Sequence, residues 1–162
     1  YKRQPLFAHV EGWQWRPDMI WFDNLNSVRT VSYYVQQLYG HHKGTNVLSL
    51  MMNKKPVTGA EGQNGLFASA VYDKNKNEII VKVANTSDRT QPLSLKFEGL
   101  KKQDVLSGGR CIKLRSADPD KDNTIEQPSV IQPQETSVSI DGQVLSVELE
   151  PKTFAVYIFK KG

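Results

Sequence analysis

From Val47 to Phe159 this chain is written almost entirely in short β-type runs, and that regularity limits the architectures open to it. Val47–Met52 and Leu66–Tyr72 come first. Glu78–Ala84 follows across the turn Asp73-Lys74-Asn75-Lys76-Asn77, which predicts a hairpin. Leu93/Leu95/Phe97, Val105–Leu106, Cys111–Leu114, Val138/Ile140, Val144–Leu149 and Phe154–Phe159 continue the series. Leu93/Leu95/Phe97 and Val156/Ile158 alternate apolar with polar residues, as strands with one buried face do. About nine such runs, separated by turn signals, predict an antiparallel β-sandwich of jelly-roll kind. Gly108-Gly109 reads as a turn, and Asp141-Gly142 as a two-residue hairpin loop joining the runs around it. The Asp-, Pro- and Gln-rich stretch from Asp118 to Pro133 reads as a surface loop.

The first 44 residues follow a different rule. Pro5–Val10 is a short apolar run of buried-strand type, and Met19-Ile20-Trp21-Phe22 is a second apolar cluster after Pro17. Asp23, Asn24, Asn26 and Ser27 are candidate helix caps. From there Val28, Val31, Tyr34, Val35, Leu38 and Tyr39 recur at the spacing of one helix face. Gly40 stands where a C-cap belongs, with His41, His42 and Lys43 near the helix's negative end. One strand and one helix leave two apolar faces uncovered, so this part cannot be a domain alone. The boundary is expected at 44/45, and residues 45–162 are numerous enough to enclose a core.

Composition narrows the function classes. A net charge of +4 comes from scattered lysines and arginines, with Lys54-Lys55, Lys101-Lys102 and Lys160-Lys161 the nearest to runs. All three tryptophans lie elsewhere, between Trp13 and Trp21, so the basic-plus-aromatic stripe of a nucleic-acid surface is not formed. No apolar run approaches the roughly 20 residues of a membrane span. The lone Cys111 excludes an internal disulfide and reads as a buried small hydrophobe. Tyr1–Pro5 has neither an initiator Met nor a signal-type apolar segment, so the expectation is a start inside a longer protein.

Two stretches carry a resemblance. Pro5-Leu6-Phe7-Ala8-His9-Val10, Gly12-Trp13-Gln14-Trp15 and Pro17-Asp18-Met19-Ile20-Trp21-Phe22-Asp23-Asn24 resemble the segment after the nucleophile strand in α-L-arabinofuranosidases of glycoside hydrolase family 51. Tyr33–Tyr39 resembles the helix that closes that family's catalytic barrel. Asn123-Thr124-Ile125-Glu126-Gln127-Pro128, with Val130 and Pro133, resembles a motif of its C-terminal sandwich, and Lys152–Tyr157 its last strand. The resemblance implies a mainly β fold: a jelly-roll-like antiparallel sandwich preceded by a partial β/α barrel unit with one helix. Residues 1–44 would be the last barrel unit and 45–162 the sandwich. It implies a parent enzyme, exported by expectation, that removes terminal arabinofuranosyl groups from arabinan or arabinoxylan with retention. Both glutamates of that chemistry precede Pro5 in the family's order, and no residue here matches either motif.

Candidate site residues follow. His9, Trp13, Gln14 and Trp15 are expected to line the sugar pocket of the intact enzyme, indoles facing sugar C–H groups and Gln bonding hydroxyls; packing between barrel and sandwich is the alternative for the tryptophans. Glu11 follows a barrel-like strand, yet it is one carboxylate where retaining chemistry needs two about 5–5.5 Å apart. No catalytic residue is therefore assigned. Asp118, Asp120 and Asp122 imitate the start of a calcium loop, but Asn123 and Ser129 stand where the required Gly and Glu would be. Adjacent His41 and His42 diverge on a helix and are a poor metal pair; no metal and no cofactor are expected. The apolar arm before residue 45 is expected to seek a surface, by folding back, pairing with a second copy or staying mobile. The rival reading is a carbohydrate-binding or structural sandwich, for which Tyr72 and Tyr157 are too isolated to form a sugar platform.

Overall fold

The computed structural model describes residues 7–9, 18–57, 62–101, 104–118 and 120–162. The centre of the molecule is a six-stranded antiparallel sheet in the order β11-β10-β13-β8-β7-β4, formed by Gln134–Val138 (β11), Leu106–Arg115 (β10), Thr153–Lys161 (β13), Glu78–Asn85 (β8), Leu66–Asp73 (β7) and Asn46–Val47 (β4). Two two-stranded sheets lie over one face: Gln91–Lys96 (β9) with Val144–Leu149 (β12), and Met51–Met52 (β5) with Lys55–Pro56 (β6). The inner core between these layers holds Val81, Val83, Cys111, Leu145, Leu149, Ala155, Tyr157 and Phe159, all nearly or fully buried.

The opposite face is covered too. Ile80, Ile112, Leu114, Val156 and Ile158 form a second core with Tyr34 and Leu38 of the single helix, Val31–His41 (α1). Consecutive residues of β8 and β13 thus point into two different cores. That is why both faces of Ala155–Phe159 are buried, where Val156/Ile158 alone read as an alternation, and why Ile79–Val83 is apolar at every position but Lys82.

The predicted hairpin forms, with Asp73 opposite Glu78 and the Asp73 carboxylate accepting from Asn75 N–H. Four local expectations are corrected. Gly108-Gly109 is no turn but part of β10, where the register against β13 shifts between Ser107 and Arg110. A Cβ on Gly109 would lie 2.5 Å from a ring carbon of Phe159, so the bulge needs a residue without one. Asp141 and Val144 do close a two-residue turn through reciprocal backbone bonds. The strands beside that turn do not pair: β11 joins β10 and β12 joins β9, so the chain crosses between sheets there.

The helix begins later than its apolar spacing implies. Val28 lies in a strand, Ser27–Arg29 (β3), and is 1% exposed. The cap is Thr30, whose hydroxyl accepts from Tyr33 N–H at 3.3 Å, and not one of the polar residues before it. Gly40 is helical and His42 is the C-cap. Finally, the stretch expected as a surface loop from Asp118 to Pro133 is not wholly solvated, because Asn123 is fully buried.

Candidate functional site

The residues before α1 form a three-stranded sheet. Phe7–His9 (β1) runs parallel to Ile20–Phe22 (β2), and β2 runs antiparallel to β3. The turn from β2 to β3 is set by Asp23, whose Oδ1 accepts from Leu25 N–H at 2.8 Å and Asn26 N–H at 2.5 Å. Those bonds, the one from Leu25 foremost, hold this carboxyl below its ordinary range. Thr30 closes the unit by donating to the Asp18 carbonyl at 2.6 Å while it caps α1.

Of the expected pocket residues, the structure places one. His9 stands opposite Phe22 in register, its half-buried ring edge-on to the phenyl at 5.6 Å and 89°. Trp13, Gln14, Trp15 and Glu11 lie outside the described residues. Trp21 sits on β2 opposite the buried Val28 as a packing residue, half-buried, with its indole N–H buried and unpartnered among the described residues.

Asp18 is a residue that sequence reasoning misses. It is 2% exposed, and its Oδ1 has no hydrogen-bond partner among the described residues. Buried carboxyls are normally bonded. The only local signal is an Asp between Pro17 and an apolar run.

The other cavities offer less. A slot of about 800 Å³ lies between β9 and the Leu50–Asn53 stretch, lined by aliphatic, Met, Asn, Gln and Ser side chains with Glu148 as its one acid among the described residues. A second, of about 430 Å³, continues past Leu95 and Phe97 with Glu98 as its one acid among the described residues. A third, of about 360 Å³, holds Asp120 and Asp122 beside Arg115, Lys121 and Lys152. Asp122 Oδ1 is taken by the N–H groups of Val31 at 3.1 Å and Asn123 at 2.9 Å. Among the described residues no group of three His, Cys, Asp or Glu is placed to hold a metal ion. The Asp118 carboxylate is instead used locally, its Oδ1 accepting from Asp120 N–H at 2.9 Å. No described helix is long and apolar enough to cross a membrane.

A three-stranded β-edge feeding a helix that lies on an antiparallel sandwich matches a known family. Residues 4–153 fit the alpha-L-arabinofuranosidase C-terminal domain, and the chain belongs to that family. Alpha-L-arabinofuranosidase 1 of Arabidopsis thaliana is 26% identical over 156 residues, which is 94% of this chain and 22% of that protein. The fold is that of the arabinose-bound MgGH51 α-L-arabinofuranosidase, with a TM-score of 0.81, 21% identity, and coverage of 98% of this chain and 23% of the other. The GH51 enzyme from Thermotoga petrophila RKU-1 superposes with a TM-score of 0.67 at 19% identity, covering 87% of this chain and 31% of its own. The chain is thus an alpha-L-arabinofuranosidase C-terminal domain by family, with the fold that family 51 enzymes share, and it spans less than a third of the proteins it resembles.

Proposed function

We propose that this chain serves a retaining α-L-arabinofuranosidase that releases terminal non-reducing arabinofuranosyl groups from arabinan or arabinoxylan. Residues 1–44 would complete its catalytic barrel and residues 45–162 would form the sandwich that supports it. The family match across residues 4–153 carries this reading. Retaining hydrolysis needs an acid/base and a nucleophilic carboxylate across the glycosidic bond, about 5–5.5 Å apart. Neither comes from this chain in the proposal. Its contribution to the sugar site is His9, Trp13, Gln14 and Trp15, which would shape and line the pocket.

The test joins sequence and assay. The coding sequence upstream of Tyr1 should encode a barrel with glutamates at two strand ends, and the protein containing it should cleave an aryl α-L-arabinofuranoside. The 162-residue chain alone should give no turnover. Hydrolysis by the purified chain, abolished by Glu11→Gln, would move catalysis into this segment and sink the assignment of roles.

A further inference from the structure

Helix α1 is held at both ends by residues far away in the chain. Its first turn contains no acidic residue to complement the exposed N–H groups there. The sandwich supplies one. Asp122 Oδ1 accepts from Val31 N–H at 3.1 Å, across 91 residues. Next to it, Asn123 is fully buried and uses its whole side chain. Its amide donates to the carbonyls of Arg29 at 2.9 Å and Ile131 at 2.8 Å, and its oxygen accepts from Ile131 N–H at 2.8 Å. The last residue of β3 and the first of α1 are therefore tied to one loop.

The other end is held by Lys82, in the middle of β8. It is 5% exposed and donates from Nζ to the His42 carbonyl at 2.5 Å, with the amine 5.0 Å from the Tyr39 ring centroid. No carboxylate lies within ion-pair reach of it among the described residues. An acid at the helix N-terminus and an amine at its C-terminus are the arrangement that the helix dipole favours.

We propose that Asp122, Asn123 and Lys82 are positioning residues: the sandwich clamps α1 at both ends, and through it sets where β3 and the strand bearing His9 stand. Helix α1 then moves with the sandwich, although in sequence it belongs to the unit before it. The inference goes beyond the proposed activity and holds for the chain whatever substrate the parent cleaves. Lys82 has a further implication. Desolvation opposes its charge, so its value lies in placing the helix end rather than in stabilising the fold.

Hydrogen exchange on the full 162-residue chain tests this. Asp122→Ala should speed exchange at Val31–Tyr33 at least tenfold while amides of β8 and β13 keep their protection. Asp122→Asn, which retains an acceptor, should restore most of the slowing. Lys82→Met should loosen the amides of Tyr39–His42 and leave the melting temperature equal or higher. Unchanged exchange at Val31–Tyr33 in Asp122→Ala would overturn the proposal. So would acceleration spread equally through α1, β8 and β13, because that would be global loosening rather than a lost joint.

Discussion

Removing residues 1–44 should cost the sandwich far more than removing residues 1–28. The first deletion takes α1 with it. Tyr34 and Leu38, 8% and 5% exposed, then no longer cover Ile80, Ile112, Leu114, Val156 and Ile158. Burial of one large apolar side chain is worth about 1.5–3 kcal/mol, so these two residues alone account for about 3–6 kcal/mol. Newly exposed surface on the sheet adds to that. Whole domains have about 5–15 kcal/mol of stability, so residues 45–162 would fold with a thin margin. At roughly 2–4 °C per kcal/mol for a chain of this size, the midpoint should fall by about 6–24 °C. The second deletion removes β1, β2 and all of β3 but Arg29, Trp21 and the buried Val28 included, yet leaves Thr30, the helix and its partners, and should shift the midpoint by clearly less than the first. Thermal unfolding by circular dichroism, with dye binding to report exposed apolar surface, distinguishes the two deletions. If residues 45–162 melt within a few degrees of the full chain, the outer core is not part of the cooperative unit and this reasoning fails.

Tyr157 faces the inner core with its hydroxyl buried and unpartnered among the described residues, and burial pushes its phenol well above the ordinary range. Tyr157→Phe should therefore leave the midpoint unchanged or raise it by about a few degrees in a thermal melt, since an unsatisfied buried group costs roughly 1–3 kcal/mol. Burial, then the charges of Arg110, Lys82 and Lys76, lower the His42 pKa from its ordinary 6.5. The unfolded chain then takes up the proton first, so stability is complete above 6.5 and declines as the pH falls below it towards the folded-state value. Melts between pH 7.5 and 5 should show a smaller decline for His42→Gln than for the native chain. Trp21→Ala should lower stability of this chain by about 3 kcal/mol, the low end for a large aromatic because the ring is only half-buried. In the parent enzyme, Trp13→Ala should reduce arabinofuranosidase activity while its melting temperature stays within a few degrees, and wild-type kinetics with a collapsed midpoint would remove Trp13 from the pocket.

Most of the sandwich is legible in the sequence because strand period and turn chemistry are local. The hairpin at Asp73–Asn77 and the runs of β8, β12 and β13 need nothing beyond neighbouring residues. The failures share a cause. Gly108-Gly109 has turn composition, yet the close approach of Phe159 across the sheet is what requires the small residue. Val28 has helical spacing with Val31 and Val35, but pairing with Trp21 draws it into a strand and moves the cap to Thr30. Asp141-Gly142 has the right turn and misleading strands, because partner choice is settled by sheets the local sequence does not mention. Before α1, the place of His9 on a strand is legible from the apolar run around it. Asp18 is not, because an unsatisfied carboxyl becomes visible only once burial is known.

The same limit explains why the residues that join α1 to the central sheet and its loops look unimportant in the sequence. There, Asp122 belongs to an acidic loop, Asn123 to a polar one, and Lys82 is one charge in an apolar strand. Each has its meaning from a partner 40 or more residues away: His42 for Lys82, Val31 for Asp122, Arg29 for Asn123. Lys82 and Asn123 are buried and Asp122 half-buried, and polar groups withdrawn from water are favourable only where their bonds are made, so their positions specify one placement of α1 and penalise others. An apolar helix face could slide on Ile80, Ile112 and Val156 with little loss, because dispersion contacts are not directional. The fixed ends remove that freedom. The apolar face of α1 therefore supplies the adhesion, the three polar residues supply the register, and the strands leading to His9 inherit their place from both.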